Sequence, residues 1–312
     1  MNSLERENWL KERKTYIGGS DIGAIIGAII GATKETYATP LDIYLDKTRE
    51  NIAEEEISEP AYFGTLLEEF IANEYTVRTG NITSKPEGLI RHKDYPFLAA
   101  NIDRWIGDKE YILECKTAGF MMGKEWGEEG SEEIPESYYA QVAWYAAITG
   151  VSRVDIAVLI GGQKFKIYTY NADKLFQDNL IKAGVEFWQN HVVKRVPPAC
   201  STLDDIKTMW PYGVKDKVIR SNKEINEAIA KLKEKRADAK VLNHEIDELK
   251  FIIQNYIQDN EVLVDENDRK VAYYTMGSER FSIDKKRLET RYPHIYEDCL
   301  KKVAPIRMLL IK

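Results

Sequence analysis

At 312 residues, with 44% hydrophobic and 30% charged content, the chain has room for a sizeable folded core plus an appendage and is too apolar for wholesale disorder. Its net charge of -7 speaks against a protein that coats nucleic acid with massed Lys and Arg, yet leaves open an enzyme that grips DNA in one cleft. Three scattered cysteines (Cys115, Cys200, Cys299) and four scattered histidines (His92, His191, His244, His294) offer no zinc knuckle, redox pair or iron-sulfur set, and the charged start MNSLERENWLKERK points to the cytoplasm.

Residues 1-80 read as helical. Trp9, Leu10, Arg13 and Lys14 lead into Gly18-Gly19-Ser20-Asp21, where Ser20 is expected to cap the apolar helix that follows. The run Ile22 to Ala32, with Gly19, Gly23, Gly27 and Gly31 at every fourth position, is too short for a membrane span, which needs about 20 apolar residues. It reads as a buried helix whose glycine face admits a close neighbour. A second helix, Tyr62 to Thr79, is expected to bury Phe63, Leu66, Leu67, Phe70, Ile71 and Tyr75 and to end at Gly80.

Short strands follow at Gly88-His92, Phe97-Ile106 and Tyr111-Thr117, the last two joined by the turn Gly107-Asp108-Lys109-Glu110. Ser137 to Thr149 reads as a helix closed by Gly150; Val154-Ile160 and Lys164-Tyr170 read as a strand pair across Gly161-Gly162, and Asp173 to His191 as a helix. The first 200 residues thus form one expected domain. Residues 201-222, with Pro211 and Gly213, read as a linker or irregular crossing, continuous with the Pro197-Pro198 stretch before it. From 223 to 312 the pattern gives a long, charge-laced helix (Glu224 to Gln258, near heptad spacing), then strands at 262-265, 270-276 and 306-311 and a helix from Asp284.

The chemistry concentrates in Tyr-Ile-Leu-Glu-Cys-Lys-Thr. Strand alternation puts Glu114 and Lys116 on one face, with Leu113 and Cys115 on the other. Asp103 can reach the same spot across the hairpin. Two carboxylates and a lysine suit Mg²⁺-assisted phosphodiester chemistry, since hard oxygen ligands hold the ion and the lysine orients the nucleophile or stabilises developing charge. An isolated Glu-x-Lys is most often an ordinary ion pair, so the trio gains weight only from its neighbours. Those are Glu68 on the second helix, Gln141 on a face shared with Tyr138 and Tyr145, and Arg13 with Ser20, a pair able to bind phosphate at a helix N-terminus. The Tyr138-Tyr145 face is itself more commonly core than substrate platform, and Arg13 alone would be a solvated cation.

In order along the chain, Arg13 with IGGSDIGAIIG, FGTLLEEFIANEYTVRTG, LAANIDRW, ILECKT and YYAQVAWYAAITG resemble the YqaJ-type phage recombination exonucleases, relatives of lambda exonuclease in the PD-(D/E)xK nuclease superfamily. The resemblance covers about residues 9 to 190. It departs at Ile102, where the motif has proline. It implies an α/β, restriction-endonuclease-like core with a mixed central sheet flanked by helices, a C-terminal helical or α+β appendage, and 5′ to 3′ digestion of one strand of duplex DNA. By the same resemblance Asp103, Glu114, the Cys115 backbone carbonyl and Glu68 would hold two Mg²⁺ ions, with Mn²⁺ as substitute. Lys116 would be the catalytic lysine, Gln141 would support the nucleophile or the metal water, and Arg13 and Ser20 would take the 5′-phosphate. Implied partners are duplex DNA ends, a phage single-strand annealing protein and a trimeric ring of this chain, with no membrane, in the cytoplasm of a bacterial host. The alternatives are an endonuclease of the same fold and a catalytically silent DNA-end-binding protein.

Overall fold

Apolar residues alternate along the central strands so that both sheet faces are covered, and this two-sided burial organises the first part of the molecule. The structure, a computed structural model, describes residues 3-30, 38-50, 58-303 and 305-311; Gly31, Ala32 and Lys34, at the end of the glycine-bearing run, lie outside them. The chain divides into two compact units, Met1–Met209 and Trp210–Lys312.

In the first unit, helices α1 (Ser3–Arg13), α2 (Gly19–Ile30), α3 (Pro40–Thr48) and α4 (Glu59–Thr79) precede strands β1 (Thr83–Ser84), β2 (Ile90–Arg91), β3 (Ala99–Ala100), β4 (Arg104–Ile106) and β5 (Tyr111–Ala118). Then come α5 (Glu136–Thr149), β6 (Arg153–Ile160), β7 (Lys164–Asn171), α6 (Lys174–Phe187), a π-helical turn at Trp188–Val193, and α7 (Leu203–Met209). The main sheet runs β1-β4-β5-β6-β7. Only β5 and β6 are parallel, from Ile112 opposite Val154 to Ala118 opposite Ile160, and α5 lies in the crossover that a parallel pair requires. The expected α/β architecture, a mixed central sheet flanked by helices, is therefore present.

One face buries Ile112, Val154, Ile156, Val158 and Tyr168 under α2, α5 and α6; the other buries Leu113, Ala157, Leu159 and Phe165 under α4. A strand covered on both sides reads as near-continuous apolar sequence, which is what RVDIAVLI is. Its one buried acid, Asp155, accepts hydrogen bonds from Tyr75 Oη (2.6 Å), Arg153 (2.7 and 2.8 Å) and Thr169 Oγ1 (3.0 Å). Burial and the bond to Asp155 together push the Tyr75 phenol up to about 12.

Several sequence expectations are corrected. The face expected for α4 was too wide: Leu67, Ile71, Ala72 and Tyr75 pack on the sheet, whereas Phe63, Leu66 and Phe70 are exposed, each one residue, about 100° of helix, before a packed or partly packed neighbour. Phe97-Ile106 is two short strands rather than one, with β3 pairing β2 and β4 pairing β5. The expected strand Gly88-His92 shrinks to Ile90–Arg91, and β1 at Thr83–Ser84 went unread because two residues carry no period. The 201-222 segment contains α7, which is tied to α3 by Thr39 Oγ1 donating to Asp205 at 2.8 Å.

The second unit holds α8 (Lys223–Ile257), capped by Asn222 accepting from Ile225 N at 2.9 Å, a hairpin of β8 (Val262–Val264) and β9 (Lys270–Tyr273), and the short helices α9 (Lys285–Arg291) and α10 (Pro293–Asp298). Residues 306-311, expected as a strand, form none: apolar content alone supplies no ladder partner. Among the described residues no helix is long and apolar enough to cross a membrane.

Candidate active site

The β4-β5 hairpin brings the acidic pair together. Arg104 opposite Leu113 is its last paired step, so β5 continues beyond β4 with a free edge. Asp103, just before β4, fills that edge: its Oδ2 accepts the Cys115 backbone N–H at 2.7 Å. A strand residue sends its N–H and C=O to the same side, so the Cys115 carbonyl leaves along the same open edge. Glu114 and Lys116 lie on the opposite sheet face from Leu113, as alternation required, and Lys116 Nζ donates to Glu114 Oε1 at 2.6 Å.

Gln141, one turn into α5, closes the network. Its Nε2 donates to Glu114 Oε1 (2.9 Å) and to Tyr145 Oη (2.6 Å), while its Oε1 accepts from Lys116 Nζ (3.1 Å). The amide that sequence marked as needing a partner has three. The aromatic residues beside it do not simply fill core: Tyr138 carries the Lys116 ammonium 4.9 Å above its ring, and Tyr138 and Tyr145 both line the cleft. Gly19 makes this packing possible, because a Cβ there would sit 2.6 Å from Tyr145 Cε1 and 3.0 Å from Gln141 Cγ. The close helix-helix approach read from the glycine spacing is real at that position.

Burial dominates the electrostatics of the site. Burial, then the neighbouring Glu114 carboxylate, pushes the Asp103 carboxyl well above its ordinary range. Burial alone would lower the Lys116 ammonium, but Glu114 and Asp103 outweigh it and hold the amine protonated. Tyr145 is raised chiefly by burial and next by Glu114. Glu114 is 2% exposed, and its Oε2 has no hydrogen-bond donor among the described residues. A buried carboxylate oxygen without a partner, beside a second carboxylate and a backbone carbonyl edge, is an all-oxygen donor set suited to a hard divalent cation.

All the expected site residues line one cleft of about 1280 Å³. Glu68 is there, but its Oε1 accepts from Arg104 Nη1, and among the described residues no three His, Cys, Asp or Glu side chains gather as a metal-binding group. Buried Arg104 also reaches Glu69 Oε2 at 3.0 Å; this clamp on α4 went unread, its only signal being the arginine that opens the otherwise apolar strand RWI. Arg13 and Ser20 line the same cleft. Ser20 is exposed in the first turn of α2 and is not its cap. Instead Asp21 Oδ2 reaches back to Gly18 N at 2.9 Å, the carboxylate half of a capping box.

The family-level comparison agrees with this span. The model of the YqaJ-like viral recombinase domain matches residues 8–152. The uncharacterized protein YqaJ of Bacillus subtilis (strain 168) is 33% identical over 321 residues, covering 100% of this chain and 95% of that one. The chain belongs to the YqaJ-like viral recombinase family. Every residue of this YqaJ-like site, from Arg13 to Tyr145, falls inside the matched span. Among solved structures, an alkaline exonuclease (LHK-Exo) from Laribacter hongkongensis aligns at 19% identity and a TM-score of 0.44, covering 61% of this chain and 96% of that one. A phage related exonuclease from Haemophilus somnus 129PT aligns at 13% identity and a TM-score of 0.43, covering 58% and 96%.

Proposed function

We propose that this YqaJ-like chain is a metal-dependent 5′ to 3′ exonuclease that degrades one strand of linear duplex DNA and leaves 3′ single-stranded tails for recombination by strand annealing. The reading rests on Asp103 and a buried Glu114, whose Oε2 lacks a donor among the described residues, beside Lys116 and Gln141 in one open cleft. Asp103, Glu114 and the Cys115 carbonyl are the groups that would hold Mg²⁺, with Glu68 available to a second ion and Mn²⁺ acceptable to the same oxygen ligands. An ion so bound supplies polarisation of the scissile phosphate and a water of lowered pKa.

The chain's own residues do the rest. Lys116, protonated and fixed by Glu114 Oε1 and Gln141 Oε1, presents positive charge where the phosphate oxygens gain negative charge. Gln141 spends both amide protons on Glu114 and Tyr145, which locks the Glu114 rotamer. Arg13 is one-third exposed, and its guanidinium has only two ion pairs, both at 3.7 Å, and no hydrogen bond among the described residues. With the Ser20 hydroxyl and the first turn of α2 it forms the pocket for a 5′-terminal phosphate, which gives digestion its direction. Duplex DNA ends are the chain's substrate, a phage single-strand annealing protein and further copies of the chain in a trimeric ring its partners, and the host cytoplasm its setting. Linear duplex should be consumed only with Mg²⁺ or Mn²⁺, and covalently closed circles should be spared; cutting of circles at a comparable rate would move the assignment to an endonuclease.

A further inference from the structure

Behind Arg13 the cleft wall holds a charged cluster that the cutting chemistry does not use. Lys47, on α3, has a fully buried side chain, and its ammonium is spent on three oxygens: Asp21 Oδ2 (2.9 Å), the Arg13 carbonyl (3.0 Å) and Asp46 Oδ2 (3.1 Å). Asp21 is 1% exposed. Its Oδ2 takes Lys47 and the Gly18 N–H, while its Oδ1 is buried, has no hydrogen-bond donor among the described residues and lies 3.7 Å from Arg13 Nη2. The Arg13 Nε lies 3.7 Å from Asp46, and the guanidinium sits 5.5 Å from the Trp9 ring.

A carboxylate buried next to an anion pocket would ordinarily repel the anion. Here its charge is cancelled by Lys47, and Asp46 offsets the remaining cation, so Arg13, Lys47, Asp21 and Asp46 sum to zero. What is left for the cleft is the donor edge of Arg13, which makes no hydrogen bond among the described residues. The Lys47 bond to the Arg13 carbonyl fixes the last residue of α1, and the Asp21 and Asp46 oxygens, each 3.7 Å from the guanidinium, hold it by charge and not by a hydrogen bond. A planar fork held this way loses little side-chain freedom on meeting a phosphate.

We infer that Asp21, neutralised by Lys47, is a positioning residue that aims Arg13 at the 5′-terminal phosphate. This rests on the reading of Arg13 as the phosphate contact. The test compares kcat/KM on linear duplexes carrying 5′-phosphate or 5′-hydroxyl ends for the full chain and for Arg13→Ala, Asp21→Asn and Asp21→Asn/Lys47→Met. The double variant removes both buried charges together, so it stays informative if Asp21→Asn alone fails to fold. The expected result is a phosphate-over-hydroxyl ratio lowered about tenfold by Asp21→Asn and by the double variant, approaching that of Arg13→Ala, the factor for roughly one charge-assisted hydrogen bond. A proportional loss on both kinds of end, leaving the ratio unchanged while Arg13→Ala lowers it, overturns the positioning role and makes Asp21 merely structural. A full chain with no preference for phosphorylated ends overturns the underlying pocket reading as well.

Discussion

Lys116 is the residue on which the chemistry leans most directly. Its ammonium touches Glu114 and Gln141, and its replacement by alanine removes the cation without opening the core, because it lies at the cleft rather than beneath it. Lys116→Ala should lower Mg²⁺-dependent digestion about a thousandfold or more while circular dichroism and the thermal midpoint stay near those of the unaltered chain. Undiminished digestion would remove the assignment. Glu114 and Lys116 were readable as a pair because strand alternation depends only on counting by two, and Asp103 because the Gly107-Glu110 turn fixes the hairpin register. Arg104 and Asp21 were not readable. Their partners lie 36 and 26 residues away in Glu68 and Lys47, and no local period encodes a charge pair made by tertiary packing.

Among elements, the joint between α2 and α5 carries the most consequence. Gly19 lets α2 rest against Gln141 and Tyr145, the residues that hold Glu114 in place. Gly19→Ala should therefore shift Gln141 and reduce kcat at least tenfold, at a stability cost of about 1–3 kcal/mol from overpacking; full kcat in a folded variant would show that the Gln141 contact is dispensable. On the opposite side of the sheet, Tyr75→Phe should cost about 1–3 kcal/mol by urea unfolding, since it strips a donor from buried Asp155. The α7 helix offers a pH test. Burial tends to raise the Asp205 carboxyl, but hydrogen bonds from Ser201, Thr39 and Thr202 outweigh it and hold the group below its ordinary value. A depressed carboxylate stabilises the fold above its unfolded pKa and ceases to do so as pH falls through the folded one. The urea midpoints of the native chain and Asp205→Asn should thus differ at pH 7 and converge on acidification; a constant gap would contradict this. The period of α5, the Gly80 and Gly150 stops and the length of α8 were plain in sequence, while the α4 face was not, because two adjacent apolar stripes carry the same pattern and only the sheet selects one.

At the scale of the whole molecule, every residue of the candidate site belongs to the unit Met1–Met209. A chain ending at Met209 should fold with a single cooperative transition and keep Mg²⁺-dependent digestion within about tenfold per molecule, as expected for a site inside one domain. A complete loss would place an essential group in the last hundred residues. The central claim is tested most directly by digestion of a linear duplex labelled separately at its 5′ and 3′ ends, with and without Mg²⁺. The 5′ label should be released early as small product, the 3′ label should stay on a long single strand, and nothing should be released without the ion. Early release of the 3′ label, or equal release in the presence of chelator, would contradict that claim.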